Sequence, residues 1–176
     1  MLNFADFKKK RIIDIGSGPG FPGVPIKLAE TSVRLTLLDS ASKRINFLKE
    51  LCALLNIDAD FIHARAEDSG NIDSLREHFD IALARAVTKL NSLSEMCLPF
   101  VSVGGLFIAM KSINSDIEIS ESLTAIKLLG GELFNIIDYS LPTTDITHRA
   151  ILIRKVFPTP DDYPRKYNKI KKSPLV

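Results

Sequence analysis

Cysteine is scarce in this sequence of 176 residues. Only Cys52 and Cys97 occur, each on the apolar face of a helical pattern, which marks them as buried thiols rather than a disulfide framework or a metal site. Histidine is scarce as well, and His63, His78 and His148 are scattered without metal-ligand spacing. No metal is therefore expected. No apolar run approaches the roughly 20 residues that cross a bilayer. Met1 to Arg11 ends in Lys8, Lys9, Lys10 and Arg11 with no apolar segment and cleavage site behind it, so a secretory leader is not expected either. The reading is a cytoplasmic protein with no membrane partner. A Gly-x-Ser-x-Gly elbow is also missing, which removes the usual sequence basis for a nucleophilic serine.

What is present fits one globular domain. Hydrophobic residues make up 45% and charged residues 25%, close to ordinary soluble proteins. A chain of this length buries roughly two-thirds of its unfolded surface. The net charge of +2 is unevenly spread. From Arg149 onward, eight lysines and arginines face only Asp161 and Asp162, a surplus of six, which leaves the first 148 residues at −4. A basic extension gains affinity for nucleic acid by releasing counterions. Charge alone equally allows a solvated tail.

Periodicity divides the chain into alternating strands and helices. Arg11 to Ile15, Arg34 to Leu38, Asp60 to Ala64, Asp80 to Ala84 and Leu106 to Met110 read as apolar strands of a parallel sheet buried on both faces. Between them, Ile45, Leu48, Cys52 and Leu55 recur at helical spacing, as do Leu90, Leu93 and Cys97, then Ile119, Leu123 and Ile126. Gly130 and Gly131 end the last of these helices. Leu133 to Tyr139 and Ala150 to Val156 follow as two strands with no helix between, an antiparallel hairpin at one sheet edge. The expected fold is a doubly wound α/β sheet, mostly parallel, with helices on both faces. Residues 1–10 form a short lead and 11–156 the domain; 157–176 form a basic tail that Pro158, Pro160, Pro164 and Pro174 leave poor in regular structure.

The informative chemistry sits where the first strand ends. Asp14-Ile15-Gly16-Ser17-Gly18-Pro19-Gly20-Phe21-Pro22-Gly23 concentrates glycines between a strand and a helix, at the sheet edge where such folds bind ligands. An ordinary tight turn has the same look. Gly18, Gly20 and Gly23 fit the dinucleotide fingerprint, and Asp39 lies nineteen residues beyond Gly20, where a ribose-binding carboxylate belongs. A nicotinamide cofactor therefore stays open. The loop also resembles the methyltransferase form, acidic-x-Gly-x-Gly-x-Gly, through Asp14, Gly16, Gly18 and Gly20. A carboxylate at Asp14 suits the cationic amino group of S-adenosylmethionine better than it suits a pyrophosphate.

A more specific resemblance emerges from the blocks together. Gly16 to Pro25, Leu37-Leu38-Asp39-Ser40, Lys43-Arg44, Phe47-Leu48-Lys49, Arg65-Ala66-Glu67, Ala84-Arg85-Ala86-Val87, Val103-Gly104-Gly105 and Tyr163-Pro164-Arg165-Lys166 are similar to the bacterial 16S ribosomal RNA guanine-N7 methyltransferases, also called glucose-inhibited division protein B. The similarity runs from about Arg11 to the C-terminus. It implies a Rossmann-like class I S-adenosylmethionine-dependent methyltransferase. Gly16, Gly18, Gly20, Phe21, Ala66, Glu67 and Arg85 would then bind S-adenosylmethionine, with Asp39 on the ribose and the Ala66-Glu67 backbone on the adenine edge. Phe21 would offer its ring face to the sulfonium. Arg85 is open to three roles: cofactor, target base or RNA phosphate.

The implied reaction is methyl transfer to N7 of a specific guanine in 16S ribosomal RNA, within the small subunit or its precursor, by a monomer. The N7 lone pair lies in the ring plane and attacks without prior deprotonation, so no general base is required, and no single catalytic residue is named. Arg85-Ala86-Val87-Thr88 stands where base-amine enzymes carry an Asn/Asp-Pro-Pro-aromatic loop, and Cys97 does not match the cytosine-C5 nucleophile motif. Other RNA or small-molecule methyltransferases, and a silent RNA-binding or assembly protein, are the alternatives. Two departures from the family pattern stand out. Only ten residues precede Arg11, where the family usually carries a helical segment, and Tyr167-Asn168-Lys169-Ile170 interrupts its small-residue and proline pattern.

Overall fold

The computed structural model describes residues 4–85, 87–140 and 146–176. Seven strands, β1 (Arg11–Ile15), β2 (Arg34–Asp39), β3 (Ala59–His63), β4 (Phe79–Arg85), β5 (Val101–Ser112), β6 (Gly131–Ser140) and β7 (Thr147–Lys155), form one sheet in the order β3-β2-β1-β4-β5-β7-β6. The first five are parallel. β7 runs antiparallel between β5 and β6. The strand order reverses between β1 and β4, and this switch point opens a crevice at their C-terminal ends.

Side-chain alternation sorts the core into two layers. Ile12, Leu35, Leu37, Ile81, Leu83 and Ile108 meet Val24 and Ile26 of α1 (Gly23–Ala29) and Ile45, Leu48 and Cys52 of α2 (Ser42–Leu54). On the opposite face, Ile13, Ile15, Leu38, Ala82, Ala84 and Phe107 meet Leu90, Leu93 and Cys97 of α4 (Leu90–Cys97) and Ile119 and Ile126 of α5 (Asp116–Leu128). The short α3 (Ala66–Ser69) follows β3, and a 3-10 turn, Leu98–Phe100, leads from α4 into β5. Phe100 and Phe107 are fully buried, each contributing about 1.5–3 kcal/mol of transfer free energy. Both cysteines are buried free thiols.

Several expectations needed correction. β3 is the sheet edge and is only half buried, because nothing pairs with its outer side. β5 extends well beyond Leu106 to Met110 in both directions: Gly104 and Gly105 lie inside the strand, next to the register shift between Phe79 and Ile81, instead of ending it. Leu55 and Leu123 are exposed; Ser122 takes the inward position on α5, its hydroxyl donating to the Glu118 carbonyl. The tail is not free of regular structure, since Tyr167–Lys172 forms α6. The connection between β6 and β7 lies outside the described residues. Among the described residues, no helix is long and apolar enough to cross a membrane, and no group of three or more His, Cys, Asp or Glu is placed to hold a metal.

Candidate functional site

After β1 the chain turns through Gly16, Gly18 and Gly20, all at positive φ. Two of these need glycine for different reasons. Gly18, at φ +55°, sends its N–H to Asp39 Oδ2 at 3.0 Å, and a Cβ there would meet nothing closer than the Gly16 carbonyl at 3.8 Å. At Gly20, φ is +96° and a Cβ would fall 2.8 Å from Val24 Cγ2 and 3.1 Å from Leu48 Cδ2. One glycine leaves backbone open at the crevice; the other lets α1 and α2 pack beneath it. Ser17 is fully buried and donates to the Asp14 carbonyl at 2.8 Å, tying the loop to β1.

Asp39 ends β2 and is 1% exposed. Besides Gly18, it receives the Ala41 N–H on Oδ1 at 2.9 Å and Arg44 Nη1 on Oδ2 at 3.4 Å. It thus joins the glycine loop to the start of α2, the helix-entry role that its residue type also suggests. Asp14 lies deeper in β1. Its Oδ2 accepts the Gly23 N–H at 2.8 Å, while its Oδ1 is buried without a hydrogen-bond partner. Burial pushes the Asp14 carboxyl up to about 7, a shift that the Gly23 N–H and Arg85 oppose and Asp39 reinforces.

These elements border a cavity of about 810 Å³. Gly16, Gly18, Phe21, Asp39, Ala66, Glu67 and Arg85 all line it. Gly20 does not; it supports the loop from below. Phe21 is half exposed, and its ring stands 5.5 Å from the Arg85 guanidinium carbon, so an arginine is a neighbour of the ring that the family resemblance offers to the sulfonium. Ala66 and Glu67 open α3, both buried. Glu67 Oε1 makes no hydrogen bond and has only Arg65 Nη1 at 3.6 Å. Past Arg85, Thr88 is pinned by Lys111 Nζ, which also pairs with Glu118 of α5. The far wall comes from α4, through Ser92 and Met96, and from α6, through Tyr167, Ile170 and Lys171.

A family model described as rRNA small subunit methyltransferase G (GidB) matches residues 1–147. The chain is 48% identical over 169 residues to Ribosomal RNA small subunit methyltransferase G of Alkaliphilus oremlandii, covering 96% of this chain and 71% of that relative. It is 46% identical to the protein of the same name from Clostridium perfringens (strain SM101), over 97% of this chain and 72% of that one. The chain belongs to this family. Its fold is also that of M. jannaschii TYW2, a structure solved in complex with AdoMet, with a TM-score of 0.66 at 12% identity over 87% of this chain and 72% of that one.

Against the family pattern, the C-terminal wall is what sequence reasoning missed. The stretch from Arg149 onward was read as a basic extension, but three of its cations are spent inside the molecule. Arg149 pairs with Asp138 and Asp116, Lys155 is fully buried on Glu77, Thr159 and two carbonyls, and Arg165 pairs with buried Glu95. Burial lowers the Lys155 amine, partly offset by Glu77. Lys166, Lys169, Lys171 and Lys172 remain exposed on or beside α6. Arg44 and Arg65 were visible in the sequence only as parts of matching blocks; the structure puts both on the cavity rim. No local signal pointed to α6, because the residues that lead into it, Tyr163 and Arg165, are held by Arg76 and Glu95, 87 and 70 positions away.

Proposed function

We propose that this chain transfers the methyl group of S-adenosylmethionine to N7 of a guanine in 16S ribosomal RNA, working as a cytoplasmic monomer on the small subunit or its precursor. Residues 11–156 would be the methyl-transfer domain and 157–176 an appended segment. The observation that carries this reading is the cavity at the switch point, where a glycine loop, a buried carboxylate at the end of β2 and the backbone of Ala66-Glu67 converge in a chain of this family.

The donor fits the residues present. Gly18 faces open space, Asp39 stands buried at the lining, and Glu67, also at the lining, keeps a buried oxygen without a hydrogen-bond partner. Asp39 would accept the ribose hydroxyls, which are good donors to an ionised carboxylate. Ala66 and Glu67 would hold the adenine edge, and Asp14, which does not itself line the cavity, would favour the cationic amino group through its charge. When bound, S-adenosylmethionine supplies an electrophilic methyl on a sulfonium. The protein's contribution is to align that methyl with the N7 lone pair and to keep water out. N7 needs no deprotonation, so the reaction asks no proton transfer of the carboxylates at the lining, and the rim also carries Arg85, Lys89 and Lys171. Those cations suit an RNA backbone. Phe21 and Arg85 stand together at the mouth, where a purine would enter.

Thermal unfolding with added ligand tests the cofactor class. S-adenosylhomocysteine at a hundredfold excess over its Kd should stabilise the protein by about 2.7 kcal/mol, and NADH should leave it unchanged. Protection by NADH alone would replace the reading with a nicotinamide enzyme. Protection by neither would indicate a silent module.

A further inference from the structure

The C-terminal wall of the cavity hangs on one buried ion pair. Glu95 is fully buried in α4 and receives three bonds from Arg165: its main-chain N–H at 2.9 Å, Nε at 2.8 Å and Nη2 at 2.7 Å. The same Nη2 reaches the Ser173 carbonyl at 3.1 Å, so the arginine staples both ends of α6 to α4. Asn91 adds a bond to the Leu175 carbonyl at 2.9 Å, and Ile170 is 1% exposed in the core. A carboxylate this deep costs several kcal/mol unless it is paired. Pairing it only to hold a loose tail would be poor value, and the tail it holds faces the cavity.

On the inner side of α6, the Tyr167 ring lies 4.7 Å from the Arg65 guanidinium carbon, and Arg65 Nη1 lies 3.6 Å from Glu67 Oε1. Tyr167, Arg65 and Glu67 thus form a chain of contacts from the tail to the end of the cavity where α3 begins, and all three line it. Lys166, Lys169 and Lys172 point elsewhere, into solvent. The inner and outer faces of α6 therefore present different chemistry.

We propose that Glu95 and Tyr167 are positioning residues for the methyl donor: Glu95 anchors α6 through Arg165, and Tyr167 braces Arg65 so that the purine end of the donor is enclosed against Ala66 and Glu67. This rests on the function proposed above. The RNA meets Lys166, Lys169 and Lys172 on the outer face together with Lys171 at the cavity rim, and Tyr167 on the inner face serves donor affinity.

The full chain is titrated calorimetrically with S-adenosylhomocysteine, and the KM for ribosomal RNA is measured separately in a labelled methyl-transfer assay. Tyr167→Ala should weaken S-adenosylhomocysteine binding roughly fivefold with the RNA KM unchanged, and Tyr167→Phe, which keeps the ring over Arg65, should stay within about twofold of the parent. Glu95→Gln should weaken it by about tenfold or more and speed trypsin cleavage at the already exposed Lys166 to Lys172 by loosening α6. If Glu95→Gln does not fold, Tyr167→Ala, at a partly exposed position, decides. Unchanged S-adenosylhomocysteine affinity in Tyr167→Ala, or a raised RNA KM with that affinity intact, would overturn the proposal. A parent protein that does not bind S-adenosylhomocysteine would overturn the function reading itself, and this proposal with it.

Discussion

Replacing Asp14 by asparagine should make the protein markedly more stable at pH 8, and more stable by only about a third as much at pH 5. The carboxyl titrates at about 7 in the fold, against about 3.9 in an unfolded chain. Between those values the folded state binds more protons than the unfolded state, so stability is full below about pH 4 and falls as pH rises toward 7. At 1.36 kcal/mol per unit, the penalty at pH 8 is on the order of 4 kcal/mol. Asparagine still accepts the Gly23 N–H that now reaches Oδ2 at 2.8 Å, and it carries no charge to desolvate. Its amide takes the place of an oxygen that already lacks a partner. Allowing for relaxation around the site, the gain at pH 8 should be about 2–4 kcal/mol. Urea unfolding followed by circular dichroism, without ligand, at pH 5 and pH 8 measures it. A variant with the parent's pH dependence, or one less stable at pH 8, would refute the argument that burial, reinforced by Asp39, holds this proton. The same charge should favour a cationic ligand group, so the parent's affinity for S-adenosylmethionine should rise between pH 6 and pH 8, and the variant's should not.

Other substitutions test separate parts of the account. Asp39→Ala removes the acceptor of the Gly18 and Ala41 N–H groups and should weaken S-adenosylhomocysteine binding about tenfold or more; unchanged affinity in a folded variant, by calorimetry, would remove Asp39 from the site. Gly20→Ala puts a Cβ 2.8 Å from Val24 at φ +96° and should cost about 1–3 kcal/mol in urea unfolding; no loss would show that the loop relaxes freely. Lys155→Met strips a fully buried amine from Glu77, Thr159 and the Leu98 and Val101 carbonyls and should cost about 3–5 kcal/mol, read the same way. A neutral result would mean that Glu77 turns to solvent at little cost.

The sheet was legible wherever burial on both faces imposed an unbroken apolar run, as in β1, β2 and β4, which the sequence placed to within a residue or so. The glycine loop was legible because Gly18 and Gly20 answer to backbone geometry that few other residues tolerate. Legibility failed where a residue's role depends on a distant partner. Gly104 and Gly105 look like a strand end, yet β5 continues through them, and a Cβ at Gly105 would fall 2.7 Å from the Asp80 carbonyl of β4. Glu95 reads as a surface residue of α4 until Arg165, 70 positions later, covers it. The neighbour of Phe21 is likewise set by the fold, which brings the Arg85 guanidinium to 5.5 Å from its ring. Leu123 fitted a helical stripe whose inward position the structure gives to Ser122, because a small hydroxyl bonded to its own helix fits against the core there.

The central claim is methyl transfer to guanine N7 of small-subunit ribosomal RNA. Its most direct test incubates the protein with methyl-labelled S-adenosylmethionine and small ribosomal subunits that lack base methylation, then digests the RNA to nucleosides. The account expects label in 7-methylguanosine alone. Label in another nucleoside, or none while a relative of this family is active in parallel, would contradict it.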